Sequence, residues 1–167
     1  MPIDFFEPTV RASTDAESFG LCDDETLPGQ VPAPAYLDIQ NPLAWIGVVE
    51  NPSKMTVDFY PVDNHLAIFR EDGSIENKCD CLLHYNNSVH FIELKERQYS
   101  GWVSSACRQL KATINCFSQN YNISEYNLKA QICNKERPNF SQNYMISMEK
   151  FEDETKVGLI IAKLVRL

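Results

Sequence analysis

The chain has 167 residues, a length that suits one domain with a proper hydrophobic core. It is 44% hydrophobic and 11% aromatic, which excludes a disordered chain, and no apolar run approaches the ~20 residues that span a bilayer. The net charge of −8 argues against a nucleic-acid-binding chain only until it is divided, because residues 1–50 hold nine acids and one base while residues 51–167 hold fourteen of each.

Pro2, Pro8, Pro28, Pro32 and Pro34, with Gly20 and Gly29, break any long element in the first thirty-five residues. Residues 1–35 therefore read as an acidic irregular N-terminal arm, and residues 36–167 as a single α/β domain. Within the arm, Thr14–Phe19 reads as one or two helical turns. Its acidity suits an ordinary solvated segment or a shield over a basic groove. The N-terminus shows no basic region followed by an apolar run, so no signal peptide is expected. The six cysteines include no C-x-x-C pair, which excludes a zinc ribbon and leaves reduced thiols in a cytoplasmic protein as the expectation.

Asn41 as a cap and Pro42 at the first helical position predict a short helix over Leu43–Glu50, closed by Pro52. Residues 55–60 alternate as a strand does, and Leu66–Arg70 reads as a second strand before an Asp72-Gly73 turn. Then comes the stretch with most information. Cys79–Tyr85 and Ser88–Lys95 are rich in apolar and β-branched residues, and Asn86-Asn87 between them suits the positive-φ positions of a tight hairpin turn. Counting outward from a two-residue turn puts Asp80 opposite Glu93, with Cβ atoms about 5 Å apart. Lys95 shares their face by strand alternation, as do Leu82, Val89 and Phe91. Cys79 and Cys81 are expected together on the other buried face.

Residues 99–120 predict the main helix, capped by Ser100, with a core stripe of Trp102, Val103, Ala106, Leu110, Ile114 and Phe117. Arg108 and Lys111 lie off that stripe. From Lys95 to Arg137 there are seven bases against three acids. Arg97, Arg108, Lys111, Lys135 and Arg137 are accordingly the candidate phosphate contacts. Leu128–Cys133 reads as a strand returning to the sheet. Val157–Leu167 fits either a last strand or a short helix.

Two carboxylates about 4 Å apart repel by roughly 4 kcal/mol at an effective dielectric near 20, which leaves the end of the hairpin costly unless a cation sits there. Lys95 offsets part of this, and a divalent cation with oxygen ligands would offset more. An ion-paired strand end at the rim of the sheet is the plain structural alternative. Asp80, followed thirteen residues later by Glu93-Leu94-Lys95, resembles the PD-(D/E)XK nuclease superfamily, with Cys79 where that family's usual proline stands. The order of helix, three strands, helix and strand over about residues 40–135 resembles the core of that family too.

The resemblance implies a restriction-endonuclease-like α/β fold, a central mixed β-sheet flanked by helices. It implies Mg²⁺ or Mn²⁺ held by Asp80, Glu93 and the Leu94 carbonyl, with Glu50 as a further acid from the preceding helix. Lys95 would orient water or stabilise charge on the phosphate, and Gln109 would face the site from the following helix. Thr113 occupies the position where one exonuclease branch carries tyrosine. The implied activity is phosphodiester hydrolysis, with DNA the expected substrate, no membrane partner and a homodimer left open. The competing expectation is a non-catalytic interaction, immunity or inhibitor protein on a nuclease-like fold.

Overall fold

The computed structural model describes residues 2–139 and 141–167. In chain order the elements are β1 (Ala12–Thr14), β2 (Ser18–Cys22), β3 (Tyr36–Asp38), β4 (Gly47–Glu50), β5 (Val57–Pro61), β6 (Cys81–Tyr85), β7 (Ser88–Lys95), α1 (Trp102–Asn120), β8 (Asn127–Asn134), α2 (Gln142–Thr155), β9 (Leu159–Ile161) and β10 (Leu164–Arg166). They form a six-stranded sheet in the order β1-β5-β6-β7-β8-β9 and a four-stranded sheet in the order β10-β4-β2-β3. Both are mixed. In the larger sheet β1, β5, β6 and β7 run antiparallel, while β7, β8 and β9 run parallel. The molecule is thus α/β with a central mixed sheet.

Three layers follow from strand alternation. One face of the hairpin β6–β7 carries Leu82, Val89 and Phe91, which pack with Trp102, Ala106, Leu110, Ile114 and Phe117 of α1. This is the predicted stripe, joined by Phe151 from α2. The other face carries Cys81, Leu83, Ile92 and Leu94, which pack against Phe19, Leu21 and Val49 of the smaller sheet. Both helices therefore cover one face, and the second sheet covers the other.

The N-terminal third differs most from expectation. Residues 12–14 and 18–22, predicted irregular or helical, are β1 and β2. Phe19, Leu21 and Cys22 are fully buried, because β2 is an inner strand of the smaller sheet. Gly20 permits this packing, since a Cβ there would fall 2.0 Å from the Trp45 ring. The helix predicted over Leu43–Glu50 is a single 3-10 turn, Pro42–Ala44, followed by β4. Val48 and Val49 are β-branched, and pairing with β2 and β10 outweighs the helix-start signal at Asn41-Pro42.

Residues 66–70, predicted as a strand, join neither sheet. Both edges of β5 are taken, by β1 and β6, so the chain loops out into a local turn with a Phe69–Ile75 bridge. The main helix starts at Trp102, with Gly101 rather than Ser100 at the cap, at φ 79°. Val157–Leu167 supplies two strands in different sheets, β9 and β10. The helix α2 went unpredicted, although Ser141 caps it by accepting a hydrogen bond from the Tyr144 N–H.

Candidate functional site

The Asn86-Asn87 turn sets the register as the sequence implied. Asn86 has φ 50°, and Tyr85 pairs with Ser88. The ladder runs out to Cys81 opposite Ile92, then steps. The Asp80 N–H donates to the Ile92 carbonyl at 3.1 Å, so Asp80 and Cys81 both address Ile92, and Asp80 does not pair directly opposite Glu93 as counting outward predicted. This bulge turns the preceding residue over. Cys79 consequently lies in the helix-side core and Cys81 in the core between the sheets, not on one face as predicted.

Helix α1 holds the bulged segment in place. The buried Thr113 hydroxyl accepts from the Cys79 N–H at 2.8 Å and donates to the Gln109 carbonyl. The Gln109 side chain donates through Nε2 to the Lys78 carbonyl at 3.1 Å and accepts through Oε1 from Lys95 Nζ at 3.0 Å. Lys95 Nζ also lies 2.7 Å from Glu93 Oε1. Gln109, Lys95 and Glu93 thus form one chain of polar contacts. The Asp80 carboxylate accepts from the Leu94 N–H at 2.6 Å.

The site is buried. Asp80 is 6% exposed and Glu93 1%. Burial, then the Glu93 charge, hold the Asp80 carboxyl well above the usual carboxylate range, against the Leu94 N–H and Lys95. Burial pushes Glu93 up to about 7, with Lys95 pulling the other way. For Lys95, burial works to lower the pKa, but the charge and hydrogen bond of Glu93 more than reverse it, so the ammonium stays protonated. Glu93 Oε2 has no hydrogen-bond partner among the described residues although it is sealed from solvent. An unsatisfied buried carboxylate oxygen is expensive unless something occupies its lone pairs.

The pair fits a hard divalent cation in donor chemistry, since Asp80 and Glu93 offer oxygens and one of these has no partner. Among the described residues, no three side chains of His, Cys, Asp or Glu converge as a protein cage would require. Backbone oxygens and water would have to complete the shell, as they do for Mg²⁺.

The tertiary structure adds acids that the sequence did not reveal. Asp23, just past β2, is half-buried, and its charge bears on both Asp80 and Glu93. Asp63 bears on Glu93 and pairs at 3.5 Å with Lys78, a lysine only 5% exposed. No local signal marks Asp23, which stands in an Asp-Asp-Glu run that reads as solvated. Glu50 lies elsewhere. It sits exposed at the end of β4 in the smaller sheet, 3.5 Å from Arg166.

The candidate phosphate contacts divide into two groups. Arg97 lines a cleft with Asp23 and Leu94 at the end of β7, and the Lys135 N–H donates to the Lys95 carbonyl at 3.0 Å. Arg137 follows shortly after. Arg108 and Lys111 instead line a groove between α1 and α2, where Lys111 pairs with Glu154 at 2.8 Å. His84 packs against Phe6 and Tyr126, consistent with a structural role. All six cysteines are free thiols. No helix among the described residues is long and apolar enough to cross a membrane.

No protein-family model, curated protein or solved structure matches the chain.

Proposed function

We propose that the chain is a metal-dependent nuclease of the PD-(D/E)XK kind, hydrolysing phosphodiester bonds with DNA as the first substrate to test. The observation that carries this reading is the buried Glu93 carboxylate, with Oε2 unpartnered beside Asp80. A binding module has no reason to bury two carboxylates and leave an oxygen unsatisfied. The strand, strand, strand, helix, strand order of β5, β6, β7, α1 and β8 supports it further, being the implied core without its leading helix.

In this reading Asp80 and Glu93 hold Mg²⁺ or Mn²⁺, with the Leu94 carbonyl as a further donor. When bound, the ion polarises a phosphate oxygen and lowers the pKa of a coordinated water. The residues of the chain do the rest. Lys95 has three ammonium protons; Glu93 Oε1 and Gln109 Oε1 engage two of them, leaving one for a phosphate oxygen or the attacking water. Gln109 is a positioning residue, fixing Lys95 and the Lys78–Cys79 backbone together. Asp23 and Asp63 add negative charge around the cation site. Arg97 and Lys135 stand where a scissile strand would enter.

The test is cleavage of circular and linear DNA, and of RNA, with Mg²⁺ or Mn²⁺, beside calorimetric Mn²⁺ titration. Cleavage that requires the metal and disappears in Asp80→Ala establishes the reading. A wild-type protein that neither binds Mn²⁺ nor cuts any of these substrates ends it and leaves the interaction-protein alternative.

A further inference from the structure

The C-terminal ends of the parallel strands β7, β8 and β9 share one edge of the larger sheet. Lysines stand in a row along it: Lys95 ends β7, Lys135 directly follows β8, and Lys163 follows β9 by two residues. The row is tied together by the Lys135 N–H on the Lys95 carbonyl at 3.0 Å and by Lys163 Nζ on the Lys135 carbonyl at 3.3 Å. Beyond it, Lys163, Arg137 and Arg166 line a cleft of 640 Å³ between the β9–β10 turn and Pro138.

The cleft is unlike the rest of a chain with net charge −8. Glu96 pairs with Lys135 at 3.0 Å and Glu50 with Arg166 at 3.5 Å. Among the described residues neither Arg137 nor Lys163 has an ion-pair partner. Burial, then the charges of Arg137 and Lys135, lower the pKa of Lys163. Like charges crowded this way cost stability unless an anion joins them. Ile160, Ala162 and Leu164 give the cleft an apolar lining, beside Glu50 and the buried Gln131, and Ile160 is 53% exposed.

We propose that this cleft binds a single strand of nucleic acid, its phosphates on Lys163 and Arg137 and its bases over Ile160, Ala162 and Leu164. The strand runs from the Asp80–Glu93 pair across the ends of β7, β8 and β9; its direction, though not its binding, rests on the nuclease reading. A duplex would satisfy the cations but turns its bases inward and leaves the apolar side chains bare, whereas the faces of unpaired bases cover them and remove their surface from water. The cleft thus selects single strands or frayed ends.

The test uses fluorescence anisotropy of a fluorescein-labelled oligothymidylate in EDTA, where no metal-dependent cleavage can occur, across a sodium chloride series. Wild type is expected to bind, more tightly than it binds a matched duplex, with affinity falling linearly in log salt. The double variant Arg137→Gln, Lys163→Gln is expected to bind about tenfold more weakly, with a slope shallower by about 1.4, or ~0.7 for each lost phosphate contact. A thermal melt checks its fold, and Mn²⁺ titration of the same variant is expected to match wild type. Unchanged affinity and slope in a folded double variant overturn the proposal even if the wild type cleaves DNA. Wild-type binding to single strands without Mn²⁺ binding or cleavage upholds the cleft and removes the nuclease reading. Absence of wild-type binding at low salt, or equal binding of duplex, overturns the single-strand assignment.

Discussion

Strand β7 buries an ionisable side chain on each face, and the two fare differently. His90 points between the sheets, opposite Leu83 on β6. Glu93 points toward the helices, with Val89, Phe91 and Lys95 on its face. Both carry orphaned atoms, the two ring nitrogens of His90 and Oε2 of Glu93. For His90, burial, then the charge of Lys129, lower the pKa to about 3, so the ring is neutral at any ordinary pH. A neutral imidazole in an apolar layer costs one or two hydrogen bonds. Glu93 has Asp80, Lys95 and Gln109 converging on it, with Asp23 and Asp63 behind. Burial alone does not mark a site; convergence of partners on an unsatisfied atom does.

The comparison breaks most decisively on activity. Asp80→Ala and Glu93→Ala are each expected to abolish metal-dependent cleavage and weaken Mn²⁺ binding, read by gel assay and calorimetry, while far-UV circular dichroism stays native. Lys95→Ala should also stop cleavage but leave Mn²⁺ binding intact or tighter, because a positive charge leaves the cation site. Cleavage that survives Glu93→Ala would put the two faces of β7 on the same footing.

Metal-free stability gives the next largest effect. The folded pKa of Glu93, about 7, lies above its ordinary value of 4.5, so between these pH values the folded state holds the proton more firmly than the unfolded state. Stability therefore falls as pH rises from 4.5 to 7, by roughly 3 kcal/mol from this group, with Asp80 adding in the same direction. Urea melts of Glu93→Gln should lose the Glu93 share of this decline, keep that of Asp80, and exceed wild type at pH 8. Saturating Mn²⁺ should remove it from the wild type. A wild type whose stability rises over that range would show that the carboxylates are not destabilised.

Thr113→Val strips the buried Cys79 N–H of its acceptor and should cost about 1–3 kcal/mol by urea denaturation. Gln109→Leu frees Lys95 without removing it; kcat should fall about tenfold, with KM and Mn²⁺ affinity held, as for a residue acting through another. The smallest effect belongs to the other face. His90→Leu should stabilise by about 1 kcal/mol or less and leave cleavage at the wild-type rate. Loss of cleavage there would mean that His90 belongs to the site and that the contrast between the faces is false.

Local pattern was enough for the hairpin, α1 and β8. Asn86-Asn87 fixes the turn, alternation fixes the faces, and the six-residue stripe fixes which side of α1 meets the sheet. The stripe also aimed Gln109 correctly, because a residue beside Leu110 must flank the buried face. These are short-range consequences of period 2 and period 3.6, and they sit in one stretch of sequence. The bulge at Asp80 was not legible, since nothing in Cys-Asp-Cys announces that one residue will be left over; Thr113, through its hydroxyl, holds it there.

The sequence by itself determined the register from Tyr85–Ser88 out to Cys81–Ile92, because a two-residue turn leaves no freedom in counting outward; the bulge at Asp80 ends that count. It did not determine that residues 12–22 and 47–50 become strands. Those segments are short, with a glycine in β2 and another in β4, and extended only because β1 pairs with β5 while β2 and β4 pair with each other and cover the inner face of the larger sheet. A strand of three to five residues has no local stability of its own; its hydrogen-bond partners lie tens of residues away, and only the assembled layers supply them. The same distance hid Asp23 and Lys163, charges that belong to the site and to the basic cleft only after the two sheets come together.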